Sequence, residues 1–97
     1  MPLEKEENFL AKLQKGNRIQ IPVVIRGMHK LKANEILGIE VRSTKDNWRH
    51  RDSYAKVSND GRFVIPKIIV EKLELKIKDM VEITLYPPTT VRDHSED

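Results

Sequence analysis

Apolar and polar residues alternate in short runs along this chain, and one order of runs occurs twice. Ala11 and Leu13 bracket Lys12, Lys15-Gly16-Asn17 supplies turn residues, and Ile19 and Ile21 bracket Gln20. At a spacing of 44 residues, Ala55 and Val57 bracket Lys56, Asn59-Asp60-Gly61 supplies the turn, and Phe63 and Ile65 bracket Val64. Alternation at period two is the mark of a half-buried strand, and two such runs joined by a Gly/Asn/Asp turn predict a β-hairpin.

Each predicted hairpin stops at a proline, Pro22 or Pro66. Proline suits the first position of a helix, because the amide proton it lacks would have no partner there. Val24, Ile25, Met28 and Leu31 then recur at helical spacing, as do Ile68, Ile69 and Leu73. The β-branched runs Val23-Val24-Ile25 and Ile68-Ile69-Val70 favour strand. The apolar spacing and the prolines together predict short helices all the same. A third strand closes each unit, with Leu37, Ile39 and Val41 alternating in one copy and Val81, Ile83 and Leu85 in the other.

The predicted order is therefore β-β-α-β, a connection, and β-β-α-β again. Repeat one covers 9–41, a polar linker 42–53, repeat two 54–86, and an acidic tail 87–97. The first ten residues read as an arm that joins the fold near Phe9. A repeat of this kind means two units, each too small to bury a core alone, closing on one another. Six short strands leave open edges unless they close, so a pseudo-twofold six-stranded β-barrel is the economical architecture.

Composition narrows the function classes. The 97 residues fit one domain, and 38% hydrophobic with 34% charged residues is a globular balance. The absence of cysteine removes disulfides, cysteine zinc sites and thiol chemistry. No apolar run reaches the roughly 20 residues of a membrane helix, and the acidic start does not read as a signal peptide. A cytoplasmic protein is the expectation. His29, His50 and His94 match no metal spacing, and Gly16, Gly27, Gly38 and Gly61 do not cluster into a phosphate-cradling loop. No cofactor and no enzymatic activity is expected.

The net charge of +3 is unevenly spread. Residues 11–41 carry +4 and the linker +2, while the first ten residues and the last twelve carry −2 each. Positive charge concentrated between acidic ends points toward nucleic acid, with a solvated lysine-rich surface as the plain alternative. Trp48, the sole tryptophan, stands beside Arg49, His50 and Arg51. That grouping suits a stacking or partner surface, or a cover over one end of a barrel.

The octapeptide Asn59-Asp60-Gly61-Arg62-Phe63-Val64-Ile65-Pro66, with its following helix and strand, resembles the AbrB/SpoVT/MazE family. Gly16-Asn17-Arg18-Ile19-Gln20-Ile21-Pro22 resembles it more loosely, with the glycine moved by one place. Family members usually carry one copy per chain and dimerise into a DNA-binding barrel. Two copies in one chain resemble a fused dimer, like small archaeal proteins with a duplicated unit. The resemblance implies a cradle-loop barrel of the RIFT type, a monomer, and double-stranded DNA as partner.

It also implies which residues touch phosphates. The arginine four places before the proline is Arg18 in one copy and Arg62 in the other; Lys12 and Lys56 stand ten places before it. Arg26 follows from the family's basic pair on the early helix, and Arg49 and Arg51 would assist from the linker. The sequence departs from the family pattern at Gly27, at Val70-Glu71 and at Ala11 and Ala55. Those departures keep two alternatives open: a protein-interaction barrel without DNA contact, and a nucleotide- or flavin-binding barrel.

Overall fold

The computed structural model describes residues 6–45 and 50–86. The chain runs β1 (Glu7–Lys12), β2 (Arg18–Gln20), α1 (Val23–His29), β3 (Ile36–Ser43), β4 (His50–Lys56), β5 (Arg62–Val64), α2 (Lys67–Lys72) and β6 (Met80–Tyr86). It is mostly β with two short helices, in the order β-β-α-β written twice. The strands form a four-stranded sheet, β1-β6-β3-β4, and a two-stranded ribbon, β2-β5. Among the described residues hydrogen bonding does not run round these two sheets into one closed ring.

Among the described residues every ladder joins one half of the chain to the other. β1 pairs with β6, β3 with both β4 and β6, and β2 with β5, all antiparallel. The registers share a pseudo-twofold relation. Ile19 faces Phe63 in the ribbon and Glu40 faces Thr84 in the large sheet, and the 44-residue shift maps each pair onto itself. Hydrogen bonds outside the ladders repeat in the same way. Leu13 N donates to Asp79 O at 2.8 Å and Val57 N to Glu35 O at 2.9 Å; Ile21 N donates to Gly61 O at 3.0 Å and Ile65 N to Asn17 O at 2.8 Å.

One core lies between the ribbon, the large sheet and the helices. Ile19, Ile21, Phe63 and Ile65 enter it from the β2–β5 ribbon and the residues just after it, Leu37, Ile39 and Val41 from β3, and Val81, Ile83 and Leu85 from β6. Cross-strand partners share a face, so the alternation seen in sequence becomes a buried layer wherever two halves meet.

Several elements differ from the sequence expectation. The strands flanking each turn do not pair with each other as hairpins: β1 pairs with β6, β4 with β3, and β2 with β5. Within the first unit only the Gln14–Arg18 bridge joins the two arms. Both prolines sit at the helix N-cap, with ψ near 140°, because each still belongs to the extended strand end. Only one residue per turn of these short helices faces inward: Ile25 and His29 in α1, Ile69 in α2 with Leu73 just after it. Val24, Met28 and Ile68, expected on the apolar face, are exposed. Six residues of the polar stretch 42–53 are strand, since β3 runs on to Ser43 and β4 begins at His50. β4 is an edge strand, where polar residues are tolerated because little of it needs burying. The chain joins the sheet at Glu7, two residues before Phe9.

Candidate nucleic-acid interface

The β2–β5 ribbon has one face in the core and one in solvent. Ile19 and Phe63 point inward and are at most 1% exposed. Arg18, Gln20, Arg62 and Val64 occupy the other face, with Arg18 opposite Val64 and Gln20 opposite Arg62. The alternation that buries Ile19 and Phe63 thus forces both arginines outward on a single surface. Arg18, Lys56 and Arg62 line one shallow groove of about 400 Å³, together with Ser58, Asn59, Asp60, Phe63 and Val64.

The two arginines are equivalent in the repeat but not in their surroundings. Arg62 Nε donates to Gln20 Oε1 at 2.9 Å and lies 3.6 Å from Asp60 Oδ2. The positions equivalent to Gln20 and Asp60 around Arg18 are Val64 and Gly16. Neither offers a side-chain acceptor. Arg18 folds over Gly16, close enough that a Cβ there would lie 3.3 Å from Arg18 Nε. Among the described residues the Arg18 guanidinium has no hydrogen bond or ion pair.

Asp60 accepts a short hydrogen bond from the Ser58 hydroxyl. That bond, with the Arg62 charge beside it, holds the Asp60 carboxyl below the usual carboxylate range. A negative charge therefore stays at this end of the groove. Gln20 also donates from Nε2 to Asp60 O at 3.1 Å, so the second turn is tied to the first hairpin from two directions.

The other basic residues are placed differently. Lys12 stands at the end of β1 opposite Met80, and it does not line the Arg18 groove. Arg26 lies against Gly61, and its Nη1 donates to Asp60 O at 3.3 Å, so its guanidinium braces the second turn. Arg51 pairs with Val41 in β4, which puts it on the opposite strand face from Lys56, and its Nη1 donates to His50 O at 2.9 Å. Arg49 and Trp48 lie outside the described residues.

The sequence singled out neither Gln20 nor Asp60 as interface residues. Their signal was present as unshared repeat positions, Gln20 against Val64 and Asp60 against Gly16, but it takes the register for Gln20 and the side-chain geometry for Asp60 to show that both border Arg62. Lys15, at the exposed tip of the first turn, adds a further cation near Arg18.

No family model matches the chain, and no curated protein matches it either. Among solved structures it is similar to the solution structure of PHS018 from Pyrococcus horikoshii. The likeness has a TM-score of 0.71 at 21% identity and covers 84% of this chain and 92% of that one. Agreement over that length at that identity is agreement of fold.

Proposed function

We propose that this chain is an AbrB-like DNA-binding protein, a transcriptional regulator or chromatin-associated factor acting in the cytoplasm, and not an enzyme. In this reading the six strands make a pseudo-twofold cradle-loop barrel of the RIFT type, and the solvent face of the β2–β5 ribbon meets duplex phosphates. The observation that carries it is the register of Arg18 opposite Val64 and Arg62 opposite Gln20, which puts both inherited arginines on one outward face. Lys56 joins them in the groove, and Lys12 and Lys15 are exposed outside it. Phosphate contacts of this kind position a protein on nucleic acid without reading its sequence.

Fluorescence anisotropy with a mixed-sequence duplex, titrated with salt, tests the proposal. Binding should weaken with salt at about 0.9 log units per log unit of salt for each phosphate neutralised. Absence of binding at about 50 mM salt, where such contacts are strongest, would refute it.

A second reading, a protein-interaction barrel, has its own observation. Leu10 and Tyr54, Ile36 and Met80, and Val24 and Ile68 are repeat-related pairs, and all six side chains are exposed. Retaining apolar residues at solvent positions in both halves favours a surface that meets another protein. A nuclease-resistant complex lost on Leu10→Ser/Tyr54→Ser substitution would support this reading over the first.

A further inference from the structure

We infer that the two repeat-related arginines have divided roles: Arg18 is the phosphate-contacting cation, and Arg62 is a fixed strut between the halves. Nucleic acid is then met from one side of the ribbon, over Arg18, Val64 and Lys56, and not symmetrically about the pseudo-twofold. This rests on the DNA-binding reading above and adds the polarity of contact.

Three observations lead to it. The Arg62 guanidinium already has a carbonyl acceptor in Gln20 and a carboxylate 3.6 Å away in Asp60. A phosphate arriving there would have to displace both and would face the Asp60 charge. Arg18 stands opposite Val64, an exposed aliphatic residue that cannot accept a hydrogen bond, and its turn carries Gly16 where the other carries Asp60. Lys56 lines the same groove as Arg18 without a partner among the described residues. Two unpaired cations across a small apolar platform make the better seat for a phosphodiester, since the site gives up no internal bond on binding.

The decisive variant is Val64→Gln. It copies into one half the acceptor that Gln20 supplies in the other, leaves the net charge unchanged, and lies at a solvent-facing position. By the pseudo-twofold it should bond Arg18 as Gln20 bonds Arg62. Salt-titrated anisotropy with a mixed-sequence duplex should show the slope shrinking by about 0.9 for Val64→Gln and for Arg18→Ala, one phosphate contact each. Arg62→Ala should keep the wild-type slope and instead lower the melting temperature. Equal slopes for Arg18→Ala and Arg62→Ala, or a wild-type slope for folded Val64→Gln, would overturn the division of roles.

Inorganic phosphate separates this inference from the reading beneath it. In the full-length protein, the Arg18 Nε–H resonance should move on phosphate titration while that of Arg62 stays in place. A wild-type protein that ignores duplex DNA but shows this difference loses the DNA reading and keeps the one-sided anion site. Equal movement of both resonances refutes the inference whatever the duplex does.

Discussion

Gly61 lies directly beneath the side chain of Arg26: a Cβ built on Gly61 would collide with the Arg26 guanidinium and its Cδ. Gly61 also has φ near +79°, so the turn needs a residue at ease in the left-handed region. The repeat puts Asn17 (φ 61°) where Gly61 stands and Val70 where Arg26 stands. The match of turn residue to helix residue thus runs between the halves, Gly61 of the second under Arg26 of the first. Gly61→Asn should cost about 1 kcal/mol, because asparagine tolerates the backbone angle but displaces Arg26 from its bond to Asp60 O. In an Arg26→Val background the same substitution should cost close to nothing. Chemical denaturation of the four proteins in the cycle measures that coupling.

His29 Nε2 and Glu7 Oε2 lie 2.7 Å apart, with His29 buried, and the repeat-related positions are Leu73 and Arg51. One half therefore holds α1 to β1 by a polar contact where the other buries a leucine. His29→Leu alone should destabilise the protein by about 1–3 kcal/mol, since the partly buried Glu7 carboxylate loses its partner. Glu7→Val/His29→Leu should recover most of that loss. A double variant as unstable as the single one would show that the pair is not the source of the effect.

Asp79 accepts hydrogen bonds from Lys45 Nζ at 2.9 Å and from Lys76 N at 2.8 Å. The Lys45 bond first, then the amide, holds its carboxyl below the ordinary range. A depressed carboxylate pKa adds stability that is present above the unfolded value of about 3.9 and lost as pH falls through the folded value. Thermal melts between about pH 5 and pH 2 should therefore show wild type losing more than Asp79→Asn. Parallel curves for the two proteins would exclude Asp79 as a contributor.

Lys30 follows α1 at φ 51°, and Leu31 N donates back to Arg26 O at 3.1 Å, a Schellman-type ending that usually uses glycine. Lys30→Gly should stabilise the fold by about 1 kcal/mol by relieving the left-handed backbone cost. Calorimetry gives the answer directly. An unchanged or lowered melting temperature would mean that the added freedom of the unfolded chain outweighs the relief.

Local features of this fold were legible in the sequence, and long-range ones were not. Period-two alternation located the strand runs and turns around Lys12 and Lys56, and Pro22 and Pro66 located the helix starts, because each signal is set within a few residues. The hairpins expected there did not follow, because β1 pairs with β6 and β2 with β5. The pairing of β1 with β6 and of β3 with both β4 and β6 depends on register across the whole chain, which alternation alone leaves open. Stretch 42–53 read as linker because an edge strand such as β4 buries so little, with Ala55 its one fully buried residue. For the site, the repeat identified Arg18 and Arg62, and the register put them on one face. That Arg62 and Arg26 are bonded internally, and Arg18 is not among the described residues, follows from neighbours 34 to 42 residues away in sequence.

Among the described residues every ladder spans the two halves, so neither half contains a sheet of its own there. Residues 7–43 and 50–86 are obligate partners that share a polypeptide, and the segment between them acts as a tether raising their effective concentration. Severed at that tether, the fragments should each be unstructured and should regain the fold only when mixed. Recovery would then depend on fragment concentration, as it does for a heterodimer.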